Sequence, residues 1–231
     1  MESYKSFLND FEYKKGTLTV VTGLPGVGKS YFIENEAVNL AKNGVKVFYE
    51  NCEIASFDLS LEFLSIYNNR DTVTLVKCED DSVKEEFSKL VEEFPRNLIF
   101  GYHTLVSLCK LNEFIEDIKR EVIEYSSEVV FLDVPFTNDS DETIRLFRET
   151  AKELDVAIIL TVHQPALTND SRSRKDHIYT KIVWDNFIDI KWTEDTLERK
   201  LFIEYKVHEW KGRIINKMIR KVGFHLEDIS E

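Results

Sequence analysis

The segment from Gly23 to Ser30 has the residue types and spacing of a phosphate-binding loop. It reads GLPGVGKS and fits the pattern G-x-x-x-x-G-K-[ST] at every fixed position. Gly23 and Gly28 let the backbone wrap closely around an anion, because a Cβ atom there would collide or exclude the required dihedral angles. Lys29 would neutralise the β- and γ-phosphates of a nucleotide, and the Ser30 hydroxyl would coordinate Mg²⁺. A β-branched run precedes the loop and a helical pattern follows it, which places a helix N-terminus at the phosphates.

These features predict that ATP and Mg²⁺ bind at this loop. The residues expected to contact the nucleotide are Gly23, Pro25, Gly26, Val27, Gly28, Lys29, Ser30 and Tyr31. The metal is expected to bind Ser30 and Asp133, because Asp133 ends the apolar run VVFLD. A carboxylate at the C-terminal edge of a parallel strand next to the loop's strand can hold Mg²⁺ through water. The alternative is an aspartate that caps a loop.

Alternating strand and helix patterns predict an α/β domain with a mostly parallel, twisted sheet flanked by helices. The predicted parallel strands are 17–22, 45–50, 72–76, 97–100, 128–133 and 156–162. The predicted helices are 30–42, one capped by Ser56 or Asp58, 83–94, one capped by Thr104, and one that starts at Asp139 or Ser140. Antiparallel strands are predicted at 186–192, 200–209 and 213–222, with a hairpin turn at Lys211-Gly212.

Composition indicates one domain that lies outside membranes. A chain of 231 residues with 43% hydrophobic residues can bury a sizeable core. We find no apolar run long enough to span a bilayer and no signal-peptide pattern, so we expect a cytoplasmic protein. Cys52, Cys78 and Cys109 lie far apart, which argues against disulfides or a zinc site. The net charge of −12 disfavours broad binding to duplex DNA but allows a small anionic ligand.

The expected domain boundaries are 1–14 for an N-terminal extension and 15–231 for the ATPase domain. The extension carries an apolar stripe, formed by Tyr4, Phe7, Leu8 and Phe11. This stripe either packs on the core of its own chain, which we favour, or docks on a neighbouring protomer.

In the order and spacing of its elements the chain resembles the RecA-like ATPase domain of DnaB-type replicative helicases, with KaiC and RadA as relatives. The resemblance covers nearly the whole length, and three long segments carry it beside the phosphate-binding loop. They are AVNLAKNGVKVFYENCEIASFDLSLEFLS, NLIFGYHTLVSLCKLNEFIEDIKREVIEYSSEVVFLD and RLFRETAKELDVAIILTVHQ. It implies a RecA-like P-loop NTPase fold and a helicase-type ATPase without the family's N-terminal domain.

The resemblance also implies roles for two further residues. Glu53, in NCEIA, matches the glutamate that activates the attacking water, and Lys29 and Gln164 complete the expected catalytic set. Gln164 matches a polar residue that senses the γ-phosphate. Glu50 competes with Glu53, because it ends the strand and could swing into the same space. His163 is expected to be a hydrogen-bonded structural histidine.

For contacts with DNA and with other subunits, the chain matches the family at some positions and departs from it at others. The segment 171–175 matches a loop that touches single-stranded DNA in this family, and its cations are Arg172, Arg174 and Lys175. A solvated charged face is the alternative. The nearby acidic segment 137–142 would repel DNA. In the family, a lysine and an arginine reach the ATP site of the next subunit in a hexameric ring. Lys206 matches that lysine, but His208 replaces the arginine, and Lys211 or Arg213 could substitute.

Three functions follow from these features. The leading hypothesis is an ATP-hydrolysing protein of DNA replication or recombination, with single-stranded DNA or a replication protein as partner. The second is a nucleotide-dependent switch or accessory ATPase that binds a partner protein, favoured by the acidic charge and by His208. The third is a kinase for a small substrate, which the antiparallel C-terminal strands disfavour.

Overall fold

A computed structural model describes most of the chain. The described residues are 2–8, 10–52, 54, 56–77, 80–101, 103, 110–134, 141–163, 184–207 and 211–230, and of residues 56, 141, 163, 202, 204–207 and 211–214 the backbone alone is described. Within these ranges, no helix has the length and apolar character needed to cross a membrane.

The centre of the fold is a nine-stranded sheet with the order β11-β10-β9-β8-β3-β7-β6-β4-β5. Its strands are β3 (Leu18–Gly23), β4 (Val47–Asn51), β5 (Leu98–Gly101), β6 (Val129–Asp133), β7 (Ala157–His163), β8 (Asn186–Trp192), β9 (Glu198–Val207), β10 (Lys211–Val222) and β11 (His225–Asp228). The strands from β8 to β5 pair in parallel. The strands from β8 to β11 pair antiparallel. This confirms the predicted mostly parallel sheet with antiparallel C-terminal strands.

Helices cover both faces of the sheet. They are α1 (Lys29–Lys42), α2 (Ser56–Asn68), α3 (Thr72–Val76), α4 (Asp81–Glu92), α5 (Leu111–Tyr125) and α6 (Asp141–Leu154). Side chains of a strand alternate between faces, so the buried strands feed two separate cores. Tyr49 and Phe131 belong to the core under α1 and α2, whereas Phe48 and Val130 belong to the core under α5 and α6. We call these the α1 face and the α5 face.

The first residues of the chain pack on its own core. Strands β1 (Ser3–Lys5) and β2 (Glu12–Lys14) form a separate antiparallel pair. Tyr4, Leu8 and Phe11 of the predicted apolar stripe are buried in the α1-face core, and Phe7 is partly buried against it. Glu36 of α1 accepts hydrogen bonds from the Ser6 hydroxyl and the Phe7 N–H. The expectation that the stripe packs on its own chain therefore agrees with the structure.

Residues 72–76 are helical, so the strand predicted there is wrong. Their β-branched side chains favour a strand, but Asp71 caps the segment by accepting from the Thr74 N–H at 3.1 Å. Thr72 is fully buried and donates from its hydroxyl to the Leu61 carbonyl at 2.7 Å. A local cap and one buried hydrogen bond thus outweigh the strand propensity.

Two predicted boundaries also need correction. Lys211 and Gly212 pair with Val207 and Lys206 as strand residues, so the turn predicted at these two residues is wrong. Helix α5 begins at Leu111 because Lys110 has non-helical angles, and Thr104 lies outside the described residues. The other predicted elements agree with the structure within a few residues. Gly44, with a left-handed φ of 83°, ends α1 as expected.

The turn between β10 and β11 reaches over α1 and is held there by asparagine side chains. The Asn69 carbonyl oxygen accepts from the Phe224 N–H at 2.6 Å. The Asn35 carbonyl oxygen accepts from the Leu226 N–H at 2.8 Å. Lys217 and Asp228 form a buried ion pair at 3.1 Å within the same hairpin. The far edge of the sheet is therefore attached to α1 and α2, next to the phosphate-binding loop.

Candidate nucleotide-binding site

The loop that joins β3 to α1 depends on glycine conformations. Gly26 and Gly28 have φ angles of 75° and 99°, in the left-handed region that residues with a Cβ atom rarely adopt. An added Cβ atom at either glycine would meet no heavy atom within 4 Å. The requirement at these two positions is therefore conformational, and the backbone there faces open space.

Gly23 is required for a second reason, which is close contact. An added Cβ atom would lie 2.6 Å from the Ile190 carbonyl oxygen and 2.8 Å from Val27 Cγ1. The carbonyl belongs to the neighbouring strand β8 and has little freedom to move. Gly23 thus lets the chain leave the sheet without pushing β8 away.

Lys29 lies against the loop rather than in solvent. Its side chain is buried, and its Nζ donates to the carbonyl oxygens of Gly23 at 3.0 Å and Leu24 at 3.2 Å. The ammonium group is therefore held inside the curve of the loop. This is where a lysine is needed to neutralise a phosphate that the loop surrounds.

The N-terminus of α1 completes the anion-binding surface. Its N-cap residue is Gly28, so no side chain caps the first turn, and that turn contains no acidic residue. The first N–H groups of a helix have no partner within the helix and carry a partial positive charge. An anion next to Gly28 would accept hydrogen bonds from these groups.

Asp133 ends β6 and is oriented by three neighbouring side chains. The Thr161 hydroxyl donates to its Oδ1 at 2.8 Å, while Tyr49 and Asn51 donate to its Oδ2 at 3.4 and 3.3 Å. Its side chain lies on the α1 face, as the loop does. One detail of the prediction is wrong, because β7 lies between β6 and the loop's strand β3. Asp133 therefore lies two strands away from β3, the strand that leads into the loop.

Solved structures with this architecture match the chain, although sequence comparison finds no matching family model and no matching curated protein. One of them, a solved ATPase domain, superposes with a TM-score of 0.68 and 13% identity, over 94% of this chain and 86% of that chain. A KaiC-like protein, PH0186 from Pyrococcus horikoshii OT3, superposes with a TM-score of 0.64 and 17% identity, over 99% of both chains. A DnaB-like replicative helicase, described with its interactions with primase, gives 0.65 and 14%, over 94% of this chain and 58% of that chain.

The chain has a RecA-like fold. This confirms the fold class and the resemblance on which it rested. The parallel strands of this sheet end at one edge. At that edge lie the Gly23–Ser30 loop, the N-terminus of α1 and Asp133. Ligands of open α/β sheets bind at this edge.

A cavity of about 630 Å³ borders the phosphate-binding loop. Its walls include the loop, facing sides of α1 and α2, the end of β10 with Lys221, and the β10–β11 turn with Phe224. The Lys221 ammonium lies 4.7 Å from the centroid of the Tyr31 ring. The volume lies in the range of small-molecule pockets in proteins. The loop thus opens into a space that can hold more than a phosphate.

Two carboxyl groups in this cavity were missed by the sequence analysis. Burial raises the pKa of Glu34 well above its usual value, and the nearby Glu62 and Asp133 raise it further. Burial also raises the pKa of Glu62, with smaller contributions from Asp58 and Asp133. The available signal was Glu34 itself, a charged residue one helical turn after Ser30 and among apolar positions of α1. The cavity therefore carries two carboxyl groups beyond the loop, and their raised pKa values favour the protonated, uncharged forms.

An arginine on β9 contacts the backbone of the phosphate-binding loop. Arg199 Nε donates to the Val27 carbonyl at 2.8 Å, and its guanidinium lies 3.9 Å from the centroid of the Trp192 ring. This contact joins the start of β9 to the phosphate-binding loop. The two residues of the hydrogen bond lie 172 positions apart in the sequence, and no local pattern marks the pair.

Glu50 is not available as the base that the sequence analysis considered. It is fully buried on the α5 face, where its carboxylate accepts from the His103 N–H at 2.9 Å and lies 2.9 Å from His103 Nδ1. A Cβ atom at Gly101 would collide with this carboxylate and with the Phe48 ring. The side chain is therefore fixed on the opposite face of the sheet from the phosphate-binding loop.

Several predicted residues have no described side chain. Glu53, Gln164, Arg172, Arg174, Lys175 and His208 lie outside the described residues. Lys206 and Arg213 lie on the paired strands β9 and β10, opposite Gly212 and Tyr205. Their roles, and the identity of the catalytic base, stay predictions.

Proposed function

We propose that this RecA-like chain binds Mg·ATP at the Gly23–Ser30 loop and hydrolyses it. The observation that carries this proposal is the position of Lys29, whose ammonium is held by the loop's own carbonyls beside the uncapped N-terminus of α1. A charge that is already placed loses little conformational freedom when phosphate binds. The cavity that continues from the loop offers room for the rest of the nucleotide.

Ser30 and Asp133 suit Mg²⁺ as its protein ligands. A hydroxyl and a carboxylate are the hard oxygen donors that Mg²⁺ prefers, and the rest of its coordination comes from water and phosphate oxygens. The hydrogen bonds from Thr161 and Asn51 hold the Asp133 carboxylate in one orientation. When bound, the metal would neutralise charge on the transferred phosphate.

Glu53 is the proposed group that positions the attacking water. Glu50 is engaged by His103, which leaves Glu53 as the carboxylate of the turn after β4. The residues beside it support this role, because Asn51 accepts from the Ile54 N–H at 2.9 Å and also donates to Asp133. The turn is thereby attached to the proposed metal ligand. Gln164, directly after β7, is the proposed sensor of the γ-phosphate.

We further propose a role in DNA replication or recombination. The similar structures include a DnaB-like replicative helicase that interacts with primase. In this proposal Arg172, Arg174 and Lys175 contact single-stranded DNA, and Lys206, His208 and Arg213 face the ATP site of a neighbouring subunit. The likeness in fold supports the ATP site more directly than it supports these contacts.

The ATPase rate, measured with and without single-stranded DNA at low salt, tests the proposal. We expect Mg²⁺-dependent hydrolysis that DNA stimulates and that Lys29→Ala abolishes. The triple variant Arg172→Ala, Arg174→Ala, Lys175→Ala should keep the basal rate and lose the stimulation. A basal rate unchanged by Lys29→Ala would contradict hydrolysis at this loop, and the absence of stimulation would contradict the DNA-dependent role.

The acidic charge favours a second candidate, a nucleotide-dependent switch that binds a partner protein. A protein with a net charge of −12 would repel a nucleic acid over most of its surface. Light scattering after size-exclusion chromatography distinguishes the two functions. A hexamer in the presence of an ATP analogue and DNA would support the motor, whereas a persistent monomer would support the switch.

A further inference from the structure

Three potential metal ligands meet on the α5 face, away from the phosphate-binding loop. They are Glu50 at the end of β4, His103 after β5, and Glu121 on α5. One ligand atom from each lies within 4.8 Å of the other two. The residues come from three elements that are distant in sequence, so the cluster exists only in the folded chain.

The cluster consists of two carboxyl groups and one imidazole. Glu50 is completely buried and has His103 as its ion-pair partner. Among the described residues, Glu121 Oε2 is inaccessible to solvent and has no hydrogen-bond partner. The cations that act on Glu121 are His103, already used by Glu50, and Arg120, which forms an ion pair with Asp117. A buried carboxylate oxygen without a partner is unfavourable, and a cation at the centre of the cluster would compensate it.

The surrounding groups orient two of the three ligands, Glu50 and His103. The His103 N–H donates to Glu50 Oε1, which leaves Oε2 directed toward the imidazole. With Nδ1 on the Glu50 side, His103 Nε2 lies 3.9 Å from Asp117 Oδ2. This distance is too long for a hydrogen bond, and a small movement of the ring would let Nε2 donate to Asp117, as the second nitrogen of a metal-bound histidine commonly does to an outer carboxylate. The absence of a Cβ at Gly101 makes room for the Glu50 carboxylate.

We propose that Glu50, His103 and Glu121 bind one first-row transition-metal dication of the Zn²⁺ class. Two carboxylates and a neutral imidazole balance a charge of +2, and an imidazole ligand favours such metals over Mg²⁺ or Ca²⁺. Ligand bonds of about 2.0–2.2 Å place neighbouring donor atoms roughly 3–3.5 Å apart. The Glu50–His103 separation of 2.9 Å is close to that value, so only Glu121 has to approach. Water would complete the coordination.

Such a metal would link the ends of β4 and β5 to α5. Glu50 precedes Asn51, which contacts Asp133 on the other face. The site is nevertheless separate from the phosphate-binding loop in its residues, its face of the sheet and its expected ion. Metal binding and ATP binding can therefore be tested independently.

Two titrations of the metal-free full chain test the proposal. Zn²⁺ binding is followed by calorimetry, and Co²⁺ binding is followed by visible absorption. We expect one ion per chain, with a Co²⁺ spectrum typical of nitrogen and oxygen ligands. Glu121→Gln should weaken binding at least about tenfold, and so should Asp117→Asn, since loss of an outer carboxylate costs about 10- to 100-fold in affinity. Glu124→Gln is the matched control, because Glu124 is exposed on the same helix and should have no effect.

Two further measurements keep the test decisive. Lys29→Ala should bind Zn²⁺ as the wild type does, which separates this site from the ATP site. Asp117→Asn changes a partly exposed residue and should fold even if Glu121→Gln does not. The proposal is overturned if the wild type binds no stoichiometric ion, if Mg²⁺ at equal concentration displaces Zn²⁺, or if Asp117→Asn and Glu124→Gln bind alike. The cluster would then be a buried Glu–His ion pair.

Discussion

The phosphate-binding loop and the Glu50–His103–Glu121 cluster lie at the same edge of the sheet but on opposite faces. The loop is made of backbone: glycine conformations, carbonyls that hold Lys29, and the N–H groups of α1. The cluster is made of side chains from three elements. Strand β4 serves both faces, because Tyr49 contacts Asp133 on the α1 face and Glu50 contacts His103 on the α5 face.

This difference shows how two opposite charges are accommodated in one fold. A contiguous backbone loop can surround an anion without burying any additional charged group besides one lysine. A cation site needs carboxylates, which are costly to bury and must be brought together from distant positions. The first kind of site depends on a few consecutive residues, whereas the second depends on the register of β4 against β5 and on the packing of α5.

The largest expected effect comes from Lys29→Ala, which should remove one site and leave the other intact. Lys29 is the charged residue of the segment from Gly23 to Ser30, and the loop's own carbonyls hold its ammonium group. We expect Mg·ATP affinity, measured by calorimetry, to fall by about 100- to 1,000-fold, or about 3–4 kcal/mol. Lys46→Ala is the matched control, because Lys46 is exposed before β4 and should bind ATP normally. Equal ATP affinity in both variants would refute the assignment of the loop.

The next prediction concerns Glu36, a buried carboxyl group on α1. Burial raises the pKa of Glu36 from 4.5 to about 7, although hydrogen bonds from Ser6 and Phe7 partly offset this. The folded state therefore holds a proton that the unfolded chain has released, and stability falls as the pH rises from about 4.5 to 7. At about 1.4 kcal/mol per pKa unit, the difference between 4.5 and about 7 amounts to about 3 kcal/mol.

Glu36→Gln should remove this part of the pH dependence. Relative to the wild type, the variant should gain about 2–3 kcal/mol in free energy of unfolding between pH 5 and pH 8, measured with urea. Glu92→Gln, on the exposed face of α4, should follow the wild type at both pH values. A constant difference between Glu36→Gln and wild type would mean that Glu36 is ionised in the folded state.

The loop could be predicted from the sequence because its function resides in consecutive residues. Gly23 to Ser30 fix the turn, the charge and the start of α1 together, and buried runs before and after them predict the parallel strands of the sheet. The cluster could not be predicted, because Glu50 and His103 are separated by 53 positions and neither has a local pattern. The face that Glu50 occupies could not be predicted either, since a strand pattern does not tell where an end residue points. The helix at 72–76 was missed because Asp71 and a buried threonine outweigh β-branched propensity.

The smallest effect is expected for Asp133→Asn, which tests whether the α1 face also depends on a carboxylate. Asparagine keeps an oxygen for the Thr161 hydroxyl but loses the charge and the oxygen that accepts from Asn51, so the fold should be retained with some loss of stability. We expect ATP to bind without Mg²⁺ as in the wild type, and the additional affinity that Mg²⁺ provides to fall by about 10- to 100-fold. Asp81→Asn, at an exposed position of α4, is the control.

Because Asp133 raises the pKa of Glu62, Asp133→Asn should also lower the pKa of Glu62, measured by NMR titration. An unchanged effect of Mg²⁺ together with a lowered Glu62 pKa would mean that Asp133 only shapes the electrostatics of the cavity, and the metal would then depend on Ser30 and the phosphates alone.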